Sequence, residues 1–137
     1  MVTMDFNMKF IDYITRNDFL KKLYPNDLPN KLVIGRIELL DTDKIYLCVK
    51  TTQKPFIDIA KWGCWGKDYN AVSIELIGQF IKDVNISNWT GSKSLFDFSF
   101  SAENNIININ FINNDVEVNF LLGGVVFQSC SVFLTEN

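Results

Sequence analysis

Any acid–base or nucleophilic chemistry in this chain would have to proceed without histidine, because the sequence contains none. That removes Ser–His and Cys–His nucleophile pairs and the imidazole metal ligand together. Cys48, Cys64 and Cys130 are widely spaced and form neither a CxxC pair nor a zinc pattern. Reduced thiols are therefore expected. Gly63 and Gly66 stand in WGCWG, which matches neither a phosphate-cradling loop nor a dinucleotide fingerprint. What remains is carboxylate pairing of the glycosidase kind, with Glu38, Asp58, Asp68 and Glu75 as candidates. No spacing singles out two of them. The expectation is a protein with no catalytic residues, no metal and no cofactor.

Recognition chemistry has more to work with. The segment Trp62-Gly63-Cys64-Trp65-Gly66-Lys67-Asp68-Tyr69 combines large aromatics with glycines that imply a turning, exposed backbone. Trp and Tyr are enriched at interface hot spots. Trp65, Asp68 and Tyr69 are the candidate partner contacts, while Trp62 and Trp89 read as structural aromatics. A second candidate surface is the polar set Asp97, Ser99, Asn108, Asn110, Glu117 and Asn119, which alternates with apolar residues. It would be either a docking face or simply a solvated one. The net charge of −3 argues against nucleic acid, whose binders need a basic patch. No stretch approaches the apolar span of a membrane helix, and MVTMDFNMKF lacks the apolar core of a signal peptide. A cytoplasmic location without membrane contact is the expectation.

These residues must be positioned by a chain of 137 residues, 47 % hydrophobic and 21 % charged, which is a globular composition. One domain spanning 1–137 is expected: an N-terminal helical segment and loop over 1–30, and an antiparallel β domain over 31–137. Phe10, Ile14, Phe19, Leu20 and Leu23 have helix-like spacing within residues 5–24, as one helix or two short ones, ended by Pro25 and Pro29. From Leu32 the period becomes two, and a hairpin turns at Asp41–Lys44. Residues 71–88 fit two strands, roughly 71–78 and 81–88, with a helix as the competing reading. After Trp89, strands carrying Phe96, Phe98 and Phe100, then Ile107, Ile109 and Phe111, then Val116, Val118 and Phe120 form a meander. Its breaks fall at Glu103–Asn105, Asn113–Asp115 and Gly123–Gly124, where Asn and Gly accept positive φ. Val125–Leu134 supplies a last, central strand. The fold class is α+β, mostly β: about eight antiparallel strands in a meander or sandwich-like roll, with an N-terminal helix packed on the sheet.

The order of features resembles a known family. Ile37-Glu38-Leu39 and Ile45-Tyr46-Leu47 form a first hairpin, followed by Trp62. Then come Asn70-Ala71-Val72-x-Ile74-x-Leu76, Ile81-x-Asp83-Val84-x-Ile86, a closing Trp89, the Phe/Ile meander and a final apolar strand. This is similar to the immunity protein 50 family of bacterial polymorphic toxin systems, over roughly Leu32 to Leu134. The second tryptophan of WGCWG departs from that pattern. The resemblance implies a small, mostly β protein that binds a cognate toxin protein and neutralises it by occlusion, with no catalysis. It carries over only Trp62 and Trp89, as structural markers. A phenylalanine-lined barrel binding a small ligand is the alternative, and a filled core would count against it.

Overall fold

In the computed structural model, which describes residues 8–90 and 94–136, two long strands dominate. They are β4 (Ala71–Ser87) and β7 (Val116–Phe133), paired antiparallel from Ala71↔Phe133 to Ser87↔Glu117. Around them lie β1 (Ile14–Thr15), β2 (Lys31–Leu39), β3 (Ile45–Thr51), β5 (Phe96–Glu103) and β6 (Ile106–Asn113). The order is β1-β7-β4-β3-β2-β5-β6, and β6 pairs again with β7. The sheet therefore closes on itself. One end of the β4–β7 ribbon carries β3 and β2; the other carries β6 and β5. Closure is completed where Lys31 and Leu32 pair with Asp97 and Phe96.

Period-two alternation explains the core. Leu47, Val49, Val72, Ile74 and Leu76 from one half meet Ile107, Ile109, Phe111, Val118 and Phe120 from the other, all buried in one cluster. Their opposite-parity neighbours lie on the other side of the pleat, where Tyr46, Lys50 and Glu75 are part-exposed while Ala71 and the hydrogen-bonded pair Cys48 and Ser73 are buried. Alternation slips where the backbone bulges. In β2 the register shifts between Ile34 and Arg36, so Leu32 and Ile34 are buried and Ile37, not Arg36, next packs on the core. Similar shifts fall at Glu75/Leu76 and Ile81/Asp83 in β4. Bulges bend a strand and increase its twist, which is what closing so few strands demands.

Several sequence expectations are corrected. Among the described residues no long N-terminal helix packs on the sheet. Residues 5–7 lie outside the described residues, and the rest forms a 3-10 turn at Phe10–Tyr13, the short strand β1 and a six-residue helix α1 (Asp18–Leu23). Arg16 adopts φ 64°, a left-handed conformation no helix passes through, so the apolar spacing serves a folded-back strap instead. Phe10, Ile11, Ile14, Leu20 and Leu23 bury into the main cluster. Residues 71–87 are neither a helix nor two strands but the single strand β4. Gly78 is there because a Cβ would lie 2.7 Å from Ile45 Cγ2 and 2.8 Å from Leu122 Cδ1. Gly123–Gly124 is not a turn either; β7 runs straight through it. Among the described residues there are seven strands, and β1 joins β7 in parallel, so the sheet is mixed. The Asn turns hold: Asn104, Asn105 and Asn114 have positive φ between paired strands.

Asp27, at φ 85°, fixes the strap. Its Oδ2 accepts from Phe10 N at 2.8 Å and its Oδ1 from Ile11 N at 3.1 Å. Asp27→Ala is expected to destabilise the protein by about 2 kcal/mol, the scale of losing hydrogen bonds to a charged acceptor. Asp27→Asn, which keeps one acceptor oxygen, should lose about half of that. Hydrogen exchange at the amides of Phe10 and Ile11, with urea melts, checks both; unchanged protection in Asp27→Ala would contradict the assignment.

Candidate functional site

The aromatic segment that stood out in the sequence forms a short 3-10 turn, Ala60–Trp62, followed by a tight loop leading into β4. Backbone bonds draw the loop together: Lys67 N and Asp68 N donate to Cys64 O at 3.1 and 2.8 Å, and Gly66 N donates to Tyr69 O at 2.7 Å. Asp68 Oδ2 accepts from Cys64 N at 2.7 Å. Gly63, at φ 88°, lies so close beneath that carboxylate that a Cβ would sit 2.7 Å from Asp68 Cγ. A glycine is required there on both counts. Asn70 ties the loop's end to the C-terminal segment, its Oδ1 accepting from Thr135 N and its Nδ2 donating to Thr135 O.

The rings form a continuous relay from this loop to the barrel. Trp65 meets Tyr69 edge-on at 5.3 Å, Tyr69 meets Trp62 at 5.9 Å, Trp62 meets Phe19 at 5.8 Å, and Phe19 meets Phe127 at 6.3 Å. Such pairs contribute about 0.5–1.5 kcal/mol each beyond their buried area. Phe19 belongs to α1 and Phe127 to β7, so three segments are locked to one another. Tyr69 is only 1 % exposed. Its ring supports the loop from beneath, so of the three candidate contacts it is the one the fold places under the surface. Burial first, and then the nearby Asp58 and Cys64, raise its phenol pKa above the ordinary value. Trp65 is half-buried and Asp68 exposed, so the two remain available at the surface. Trp62 is half-buried within the relay, edge-on to both Tyr69 and Phe19. Trp89 is 45 % exposed and stacks on Phe96 at 6.2 Å with an 11° tilt, at the margin of the core.

Of the carboxylates considered for catalysis, Glu75 has the most elaborate surroundings. On the outer side of β3, β4 and β7 its Oε1 accepts from Tyr46 Oη at 2.5 Å and its Oε2 from Ser129 Oγ. Arg36 lies over the Tyr46 ring at 5.2 Å and pairs with Glu38. The Ser129 bond first, then the Tyr46 bond, lower the Glu75 pKa against the opposing effect of burial. A general acid needs the reverse shift. Glu75 is an ionised acceptor stitching three strands. Nothing in the sequence signalled the trio, since Tyr46 and Ser129 lie far from Glu75 along the chain. Cys130 is half-buried and its thiol is pushed up to about 12, by burial and then by Glu75. That makes it a poor nucleophile. Among the described residues no group of His, Cys, Asp and Glu could hold a metal ion. No described helix is long and apolar enough to cross a membrane.

No protein-family model matches the chain, and neither a curated protein nor a solved structure is significantly similar to it.

Glu75→Gln is expected to cost about 1 kcal/mol near neutral pH, the scale of one net hydrogen bond. The folded carboxyl pKa lies below its unfolded value of about 4.3. Its contribution is therefore complete above that value and is lost as pH falls through the folded pKa. Urea melts of both proteins from pH 7 to 3 should show the difference shrinking toward acid; a constant or growing difference would contradict the assignment.

Proposed function

We propose that the chain is an immunity protein that binds a cognate bacterial toxin in the cytoplasm and neutralises it by occlusion, as the resemblance to the immunity protein 50 family implies. The observation that carries this reading is the pinned aromatic loop. Trp65 sits half-exposed on a backbone fixed by Asp68, by the Cys64 carbonyl and by the ring relay behind it. A preorganised tryptophan loses little entropy on docking and supplies a large contact area. Occlusion needs such a preformed surface and no chemistry of its own. The alternative, a small-ligand barrel, would use the interior. There the inward side chains Ile74, Leu76, Ile109, Val118 and Phe120 are 0–2 % exposed and packed against one another. A filled interior favours recognition at the outer surface.

Co-expression of this chain with the toxin domain encoded beside it should restore growth, and the two purified proteins should form a stoichiometric complex. Trp65→Ala is expected to weaken that complex by about 2 kcal/mol or more, the scale of an aromatic hot spot, without lowering Tm by more than a few degrees. A wild-type chain that neither binds nor protects would overturn the immunity reading.

A further inference from the structure

The outer face of β5, β6, the first half of β7 and the second half of β4 is laid out in rows by the strand register. One row is Asp97–Ile112–Glu117–Ser87, the next Ser99–Asn110–Asn119–Asn85, the next Ser101–Asn108–Leu121–Asp83. A further cross-strand pair, Glu103–Ile106, extends it on β5 and β6. The middle is an amide ladder: Asn119 Nδ2 donates to Asn108 Oδ1 at 2.7 Å and to Asn110 Oδ1 at 3.3 Å. Ile106 and Ile112, 37 % and 40 % exposed, stand beside it. Every charged residue in these rows is acidic, namely Asp83, Asp97, Glu103 and Glu117, and all four are exposed. Lys31 reaches Asp97 at 2.6 Å from the neighbouring strand, and Lys82 lies at the bulge beside Asp83. Among the described residues the other three carboxylates are in no ion pair. This distinguishes the face from the opposite one, where Glu75 is fully engaged by Tyr46 and Ser129.

We infer that this face docks a protein partner presenting a lysine- and arginine-rich surface. The inference rests on the immunity reading for the partner's identity but not for its chemistry. An amide centre makes adaptable hydrogen bonds, exposed isoleucines supply apolar contact, and a carboxylate rim of one sign selects a basic counterpart while rejecting acidic ones. The ladder is already hydrogen-bonded within itself, so its side chains are held in place before a partner arrives.

The test needs no toxin. A 12-residue Lys/Gly peptide is titrated into the 15N-labelled full chain, and perturbed amides are mapped at low and at physiological salt. Shifts should centre on the side-chain amides of Asn108, Asn110 and Asn119. The double variant Asp83→Asn/Glu117→Gln should weaken binding about tenfold and flatten its salt dependence. A control of equal charge change, Asp41→Asn/Asp43→Asn in the β2–β3 turn, should change the Kd less than twofold. Shifts centred elsewhere, or equal weakening by both double variants, would overturn the inference. The peptide result can fail while toxin protection stands, and it can succeed where no toxin is bound.

Discussion

The pairing of β4 with β7 is the constraint on which the rest depends. Among the described residues both strands are longer than the rest, and their shared register joins the two halves of the sheet over a far longer run than the two pairs of β2 with β5. β3 and β2 hang on one end of β4, and β6 and β5 on the opposite end of β7. Without that ribbon, each half would be a three- or four-stranded sheet with one apolar face in water. Small sheets of that kind are marginal at best. Folding the ribbon over itself lets the two apolar faces cover each other, and no separate layer of helices is needed.

The fold-over also decides which outer chemistry is exposed. Bulges at Glu75/Leu76 and Ile81/Asp83 turn the ribbon, so its two ends present different outward faces. One face spends its carboxylate internally: Glu75 holds β3 to β7 across β4. The other leaves a field of amides ringed by carboxylates. The strap formed by residues 8–17 closes the remaining gap beside β5 and β7, with Phe10 against Phe98 and Phe100 at 5.1 and 5.3 Å and Ile14 beside Val125. The seam is thus sealed by a segment anchored on Asp27.

Much of the β architecture was legible because alternation is a local signal. Phe96, Phe98 and Phe100, and Ile107, Ile109 and Phe111, point one way whatever the strands pair with, and Asn104, Asn105 and Asn114 mark their turns. The errors arose where a local signal had a nonlocal meaning. Gly123 and Gly124 suggested a turn through their tolerance of positive φ, yet among the described residues the positive-φ glycines are Gly63 and Gly66. Gly78 suggested a break, but its lack of a side chain answers to Ile45 and Leu122 on the two flanking strands. Apolar spacing in residues 10–23 suggested a helix because a strap pressed on one side shows the same spacing. At the candidate site, the type of residue was readable but its depth was not. Trp65, Asp68 and Tyr69 are close together in sequence, and only the ring relay to Phe19 shows why Tyr69 is buried while its neighbours are not.

The two candidate surfaces would contribute to binding in different ways. A carboxylate-rimmed face acts at a distance of a Debye length, about 8 Å at physiological salt, and so chiefly raises the rate of encounter with a basic partner. A pinned, half-exposed tryptophan acts only on contact, and chiefly slows dissociation. On the proposed immunity reading the two would add, since occupancy depends on speed of capture as well as residence. Both surfaces share one structural property, rigidity. A hydrogen-bonded amide ladder and a ring-backed loop are both fixed before docking, so binding energy is not spent on ordering them. Flexible surfaces with the same residues would carry the same charge and the same tryptophan, and would bind more weakly.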